Sequence, residues 1–242
     1  MSLRDALATP ERKAPYVRRL FATIADRYDL ITVLLSYGQD RRWKRRLLAL
    51  AGPLGGRRLL DLACGTGDIA LAAAARGAAV TALDVTPRMV ELATSRAARQ
   101  PDAPVRFVVA DMMALPFPDA SFDVVTTGYG LRNVPVLAVA IDEIARVLRP
   151  GGRLLSLDFN RPAAAPIRAA YHAYLTATGG VLGWALHGDP DTYRYIPESI
   201  RRYPGAPAVA AELAARGFPG AAWHPVLGGL LAIHVADRGV GT

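Results

Sequence analysis

The sequence is poor in the residues that build disulfide-linked or zinc-stabilised proteins. Its 242 residues include a single cysteine, Cys64, and four histidines that are scattered along the chain. One cysteine excludes an internal disulfide framework and a zinc site with several cysteine ligands. We therefore expect no metal site, and the cysteine content is typical of a reducing cytoplasm.

Long hydrophobic runs are also missing. No window reaches the roughly 18 to 20 apolar residues that a membrane-spanning helix needs. Residues 1–13 are polar and of mixed charge, unlike a signal peptide. We expect a cytoplasmic protein that is either free or peripheral on the inner face of the membrane.

Lysine is scarce, so arginine carries most of a formal net charge of +8. This charge fits an anionic partner such as nucleic acid, an anionic membrane surface or an acidic ligand. However, the arginines are spread along the chain and no recognised nucleic-acid-binding motif is present. Nucleic acid is therefore disfavoured as a partner.

Apolar residues make up 52% of the chain, which is enough for a sizeable core. From Arg58 onward, short apolar runs alternate with helix-like segments, as in "RLLDLACGTGD" followed by "IALAAAARG". Continuous apolar strands that alternate with helices predict an α/β fold with a mostly parallel sheet covered on both faces. We expect one domain over residues 1–242: a helical cover (1–52), a core (57–160), a helical insertion (162–203), and a closing helix and strands (204–242).

Glycines and carboxylates follow three neighbouring predicted strands. Gly65 and Gly67 follow the first strand, Asp84 ends the second and Asp111 follows the third. Ligands bind beyond the carboxyl ends of strands in such sheets, so these loops can converge on one elongated ligand. "GTGDIA" fits a dinucleotide fingerprint, but Asp61 just before the loop disfavours phosphate and favours a ligand ammonium group.

Four motifs resemble those of class I S-adenosylmethionine-dependent methyltransferases: "LLDLACGTGD", "ALDVT", "VVADMMALPFPDASFDVV" and "RVLRPGGRLL". The resemblance implies a Rossmann-like, seven-stranded sheet whose last strand is antiparallel. It also implies S-adenosylmethionine as cofactor and S-adenosylhomocysteine as product. The cofactor-binding residues implied are Asp61, Gly65, Thr66, Gly67, Asp84, Val85, Asp111, Met112 and Gly128.

Three outer segments, "YDLITVLLSYGQDRRWKR", "YGLRNV" and "DTYRYIPESI", resemble the UbiE/MenG/COQ5 family. The resemblance implies a helical N-terminal extension and a helical lid inserted after strand five. It implies methylation of a ring carbon on a prenylated benzoquinol or naphthoquinol in ubiquinone and menaquinone biosynthesis. The resemblance is compatible with a homodimer.

Four residues are the candidates for the chemistry. A guanidinium at Arg132 can stabilise a developing phenolate, and Asn133 can orient a hydroxyl or carbonyl. Tyr28 and Tyr195 can line the ring site or relay a proton. The alternatives are a structural ion pair for Arg132 and plain packing for the tyrosines.

Some positions depart from the family pattern, among them Ile31, Thr32, Asp40 and Gly128. Because they fall near the expected pockets, a diverged enzyme for another aromatic or polyketide-like ring is the alternative function. A prenyl tail would sit in the bilayer, so we expect peripheral contact through the basic N-terminal helices. The arginines of that region and Lys44 are expected to face solvent or lipid head groups.

Overall fold

The computed structural model describes residues 3–100 and 102–240, and its centre is one seven-stranded sheet in the order β3-β2-β1-β4-β5-β7-β6. Strand β7 is antiparallel to both β5 and β6, whereas the other neighbouring strands are parallel. The predicted sheet and its antiparallel last strand are confirmed. The two chain ends of the predicted domain lie outside the described residues. The strands are β1 Arg58–Leu62, β2 Ala79–Asp84, β3 Val105–Val109, β4 Phe122–Gly128, β5 Leu148–Phe159, β6 Ala222–Val226 and β7 Leu231–Asp237.

Helices precede the sheet, cover it and follow strand β5, as the sequence predicts. Among the residues that the structure describes, four α-helices come before β1, and a pair, α8 and α9, comes between β5 and the closing helix α10. No helix in the described part of the chain has the length and apolarity required to cross a bilayer. The helices are α1 Leu3–Ala6, α2 Pro10–Ile24, α3 Tyr28–Ser36, α4 Asp40–Leu50, α5 Asp68–Ala74, α6 Pro87–Ala97, α7 Leu137–Val147, α8 Ala165–His187, α9 Asp191–Arg202 and α10 Ala206–Ala215.

The core lies on both faces of the sheet because successive strand residues point to opposite sides. Leu59 of β1 packs with Leu47 of α4 and Ile69 of α5 on one face. The next residue, Leu60, packs with Ile141 of α7 on the other face. These five side chains are almost completely buried. This explains why the central strands are continuous apolar runs rather than alternating ones.

Helices α8 and α9 approach each other closely because glycines lie at their contact. A Cβ atom at Gly179 would lie 3.0 Å from the carbonyl oxygen of Tyr193. A Cβ atom at Gly183 would lie 2.5 Å from the carbonyl oxygen of Asp189. Backbone atoms cannot easily move away from a new side chain, so larger residues at these positions would separate the two helices.

Candidate active site

A cleft opens at the carboxyl ends of the parallel strands, and we call it the strand-end cleft. It is lined by Gly65 after β1, Asp84 at the end of β2, Asp111 after β3 and Gly128 at the end of β4. Its empty volume is about 720 Å³, open solvent at the mouth included. This size is typical of a small-molecule site.

Most of the predicted cofactor residues line the strand-end cleft, and three do not. Thr66 and Gly67 continue the glycine loop away from the cleft, where Gly67 precedes helix α5. Asp61 lies on β1 beneath the loop. The predicted residues that line the cleft are Tyr28, Gly65, Asp84, Val85, Asp111, Met112, Gly128 and Asn133.

Asp84 joins the loops that follow β1 and β2. Its carboxylate accepts the backbone N–H of Gly65 at 3.0 Å and the backbone N–H of Thr86 at 2.9 Å. Burial raises the pKa of Asp84, while these N–H groups act in the opposite direction. Gly65 has φ +54°, and a Cβ atom there would lie 3.4 Å from the Tyr28 ring. Glycine therefore suits this backbone conformation and lets the loop lie close to Tyr28.

Asp111 connects the strand-end cleft to the N-terminal helix α2. One carboxylate oxygen accepts the backbone N–H of Met113 at 2.9 Å, and the other accepts a guanidinium N–H of Arg18 at 3.0 Å. Val17 and Phe21 of the same helix also line the cleft. Helix α2 therefore covers the outer side of the cleft.

Asp61 is a buried carboxyl with an incomplete set of hydrogen bonds. Its Oδ1 accepts the hydroxyl of Thr126 at 2.8 Å, whereas its Oδ2 has no partner. Burial raises the pKa of Asp61 to about 7, and the Thr126 hydrogen bond acts against that rise. The expected contact of Asp61 with a ligand ammonium group remains a prediction.

A second, larger cavity adjoins the strand-end cleft, and we call it the inner chamber. Its empty volume is about 1370 Å³, and its wall is mainly aromatic and aliphatic. Four residues, Phe21, Tyr28, Tyr129 and Asn133, line both cavities. These four side chains therefore lie between the two cavities.

Arg132 lies at the wall of the inner chamber in a buried ion pair. Its Nε lies 3.2 Å from Oδ1 of Asp158, and its backbone N–H donates to Oδ2 of the same residue at 3.0 Å. The guanidinium also donates to the Ser199 hydroxyl and lies 5.1 Å from the centre of the Phe159 ring. The ion pair considered as an alternative from the sequence is present, and the same side chain still lines the chamber.

Asn133 is held in one orientation by two neighbours. Its Oδ1 accepts the hydroxyl of Tyr195 at 2.8 Å, and its Nδ2 donates to the carbonyl oxygen of Tyr129 at 2.7 Å. Burial raises the pKa of Tyr28 to about 12 and also raises the pKa of Tyr195. Both tyrosines are therefore protonated at neutral pH, and Tyr195 donates its hydroxyl hydrogen to Asn133.

Comparison with known proteins identifies the family. The model of the ubiE/COQ5 methyltransferase family matches residues 9–238. The chain belongs to this family. Demethylmenaquinone methyltransferase of Thermus thermophilus is 43% identical over 221 residues, covering 90% of this chain and 100% of that protein. Ubiquinone/menaquinone biosynthesis C-methyltransferase UbiE of Rubrivivax gelatinosus is 39% identical over 222 residues, covering 92% and 86%.

A solved structure of another methyltransferase has the same fold as this ubiE/COQ5 chain. An N-methyltransferase of Haemonchus contortus, in complex with phosphomonomethylethanolamine and S-adenosylhomocysteine, aligns with a TM-score of 0.62 at 15% identity. The alignment covers 82% of this chain and 53% of that one. The predicted class I S-adenosylmethionine-dependent methyltransferase fold is confirmed.

The ubiE/COQ5 chain also contains a buried network that the sequence interpretation missed. Tyr129 donates its hydroxyl to Asp40 at 2.8 Å, and Lys44 lies 2.6 Å from Asp40 and 2.8 Å from Asp68. Burial alone would lower the pKa of Lys44, but the two carboxylates outweigh it and raise the pKa. The expectation that Lys44 faces solvent or head groups is wrong, because Lys44 is on the buried face of α4 with Trp43 and Leu47.

A second missed contact links helix α3 to the glycine loop of this family member. Thr66 donates its hydroxyl to Asp29 at 2.5 Å. Arg96 of α6 lies 3.6 Å from Asp29 and 2.6 Å from Asp68. The predicted cofactor residue Thr66 therefore anchors α3 over the loop.

Proposed function

We propose that the chain transfers a methyl group from S-adenosylmethionine to a ring carbon of a prenylated quinol of the demethylmenaquinol or polyprenyl-benzoquinol type. The observation that carries this proposal is the apolar inner chamber that meets the strand-end cleft at Tyr28 and Asn133. A flat ring with a hydrocarbon tail suits such a chamber. The relatives named for demethylmenaquinone and ubiquinone/menaquinone support the same acceptor class.

The polar groups of the strand-end cleft fit S-adenosylmethionine. Asp84 would accept hydrogen bonds from ribose hydroxyls, and Asp111 from the adenine amine beside the apolar Met112. Gly65 leaves room for the methionine part beneath Tyr28. Asp61, on β1 just before the glycine loop, disfavours the pyrophosphate of a dinucleotide. The cofactor supplies a methyl group already activated on a sulfonium, so the protein must align the acceptor with it.

The acceptor ring would lie in the inner chamber beside Arg132 and Asn133. The ring carbon becomes nucleophilic as a neighbouring hydroxyl releases its proton to water, and the guanidinium of Arg132 stabilises the resulting phenolate. Attack on the sulfonium methyl group would release S-adenosylhomocysteine, and the ring carbon would then lose its own proton to water to restore the aromatic ring. Asp158 holds that guanidinium in place, and Asn133 orients the ring oxygen. Since Tyr28 and Tyr195 keep their protons at neutral pH, we assign them to hydrogen-bond donation rather than to proton abstraction.

Turnover with defined acceptors tests this function. The purified chain is incubated with S-adenosylmethionine and a reduced, short-chain demethylmenaquinol or benzoquinol, and the methylated product is detected by mass spectrometry. We expect carbon methylation of the reduced quinol only. Clean cofactor binding without turnover of any quinol, together with turnover of another aromatic or polyketide-like ring, would replace the quinol by the alternative acceptor.

A conservative substitution tests the role of Arg132. Arg132→Lys keeps a positive charge near Asp158 but loses the planar guanidinium. We expect kcat to fall about 100-fold, as on removal of one transition-state donor. S-adenosylhomocysteine affinity should not change, because Arg132 does not line the strand-end cleft. The matched control is Arg153→Lys, which alters an arginine paired with Asp237 between β5 and β7 and should leave kcat unchanged.

A further inference from the structure

Helices α3 and α8 share an exposed apolar surface. Tyr28, Ile31 and Leu35 of α3 belong to one apolar cluster with Leu182 and Leu186 of α8, and Tyr193 of α9 is buried in the same cluster. The outward side chains of both helices therefore belong to one region, which we call the docking face. It comprises Val33, Leu34, Tyr37, Tyr174, Val181 and Trp184, all of them exposed.

Two residues of the docking face also line the inner chamber. Tyr37 and Tyr174 line that chamber, yet their exposed fractions are 74% and 39%. Their hydroxyl oxygens lie 2.5 Å apart, so the pair joins the end of α3 to the middle of α8 at the surface. A hydrocarbon chain that leaves the chamber between these helices would emerge into the docking face.

The charge around the docking face is mainly positive, although Asp29 of α3 and Asp189 after α8 are also exposed. Helix α4 begins three residues after Tyr37 and exposes Arg41, Arg42, Arg45 and Arg46. Helix α8 contains no aspartate or glutamate along its 23 residues. Two copies of such a surface would repel each other, whereas an anionic bilayer would attract it. The exposed apolar side chains of α3 and α8 and the arginines of α4 would together supply the apolar and electrostatic contacts that hold a protein at a membrane interface.

We propose that the docking face seats the chain on an anionic bilayer, with the mouth of the inner chamber turned toward the lipid. The proposal rests on the proposed function, because a bilayer-bound acceptor would pass directly from the lipid into the chamber. It assigns the apolar contact to α3 and α8 and the electrostatic contact to α4.

Vesicle flotation and tryptophan fluorescence test the docking face directly. The vesicles consist of phosphatidylcholine with or without phosphatidylglycerol. We expect binding to the anionic vesicles only, with Trp184 quenched by lipids that carry brominated chains. Trp184 is 70% exposed, whereas Trp43 is buried and Trp223 is half-buried on β6, so Trp184→Phe should remove most of the quenching. Removing one arginine of α4 should weaken binding about fivefold.

Paired substitutions separate the docking face from the active site. Val181→Gln/Trp184→Gln should reduce vesicle binding about tenfold. It should reduce methylation of a long-chain quinol in vesicles and leave methylation of a water-soluble short-chain quinol unchanged. The matched control, Val139→Gln, changes an exposed valine on α7 and should affect neither.

The outcomes distinguish the docking proposal from the proposed function. If neither quinol is methylated, the function fails, while flotation and quenching still decide whether the face binds lipid. No binding of anionic vesicles, or equal binding by the Val181/Trp184 double variant, would overturn the docking face. A dimer in sedimentation that the same double variant dissociates would show that a second copy, not lipid, covers this surface.

Discussion

The buried cation Lys44 offers a quantitative test of the network under the glycine loop. In Lys44→Met the side chain keeps its length but Asp40 and Asp68 lose their shared partner. Removing one member of a buried ion pair costs about 3 to 5 kcal/mol. We expect the lower end, about 3 kcal/mol, because Asp68 keeps Arg96 and Asp40 keeps the hydroxyl of Tyr129.

The pH dependence of this loss has a defined sign. Burial alone would raise the pKa of Asp68, but Lys44 and then Arg96 outweigh it and lower the pKa. A carboxyl with a lowered pKa contributes stability at neutral pH that is lost as the pH falls through its folded-state value. The difference between wild type and Lys44→Met should therefore be largest at pH 7 and shrink as the pH falls below about 4, the unfolded-state pKa of an aspartate.

Urea unfolding measures both effects, and equal m-values for the two proteins would validate the comparison. The control is Asp40→Asn/Lys44→Met, in which the more buried carboxylate is neutralised. This double variant should recover about 2 kcal/mol relative to Lys44→Met, since the two residues form one pair. A loss below about 1 kcal/mol in Lys44→Met, or no recovery in the double variant, would refute the reasoning.

Two further predictions concern Asp61 and the packing of α8 on α9. Burial raises the pKa of Asp61 to about 7 in the folded state, against about 3.9 in the unfolded chain. As the pH rises from about 3.9 to about 7, wild type should lose up to about 4 kcal/mol of stability relative to Asp61→Asn. A difference in urea unfolding that does not depend on pH would contradict the raised pKa of Asp61. Gly183→Ala should cost about 2 kcal/mol, because the new methyl group meets the carbonyl oxygen of Asp189. Gly55→Ala, where the methyl group meets nothing within 4 Å, is the matched control, and equal thermal unfolding of both glycine variants would argue against the close contact.

The strand-end cleft was predictable from the sequence because its position follows from topology. Parallel strands place their carboxyl ends on one edge, so Gly65, Asp84 and Asp111 could be brought together from their positions after predicted strands. The side chains that contact these residues could not be predicted in this way. Arg18 contacts Asp111 across 93 residues of chain, and that contact depends on how α2 lies over the cleft.

The partners of Arg132 and the burial of Lys44 were harder to predict. Asp158 reaches Arg132 only because β5 lies beside β4, a neighbour relation that the sequence interpretation did not use for side-chain pairing. For Lys44 a usable signal existed. Trp43, Leu47 and Leu48 mark one apolar stripe of α4, and position 44 falls within it at helical spacing. The dense run of arginines obscured that pattern.

Helix α3 also limits how the enzyme can change its acceptor. The helix has nine residues, and it holds the glycine loop through Asp29 while Ile31 and Thr32 line the inner chamber. A substitution that reshapes the chamber from this helix also shifts the anchor of Thr66. Substitutions in α3 that change which acceptors are methylated should therefore also change the affinity for the cofactor. Helix α8 bears no such anchor, so it is the better starting point for engineering or natural divergence toward other acceptors.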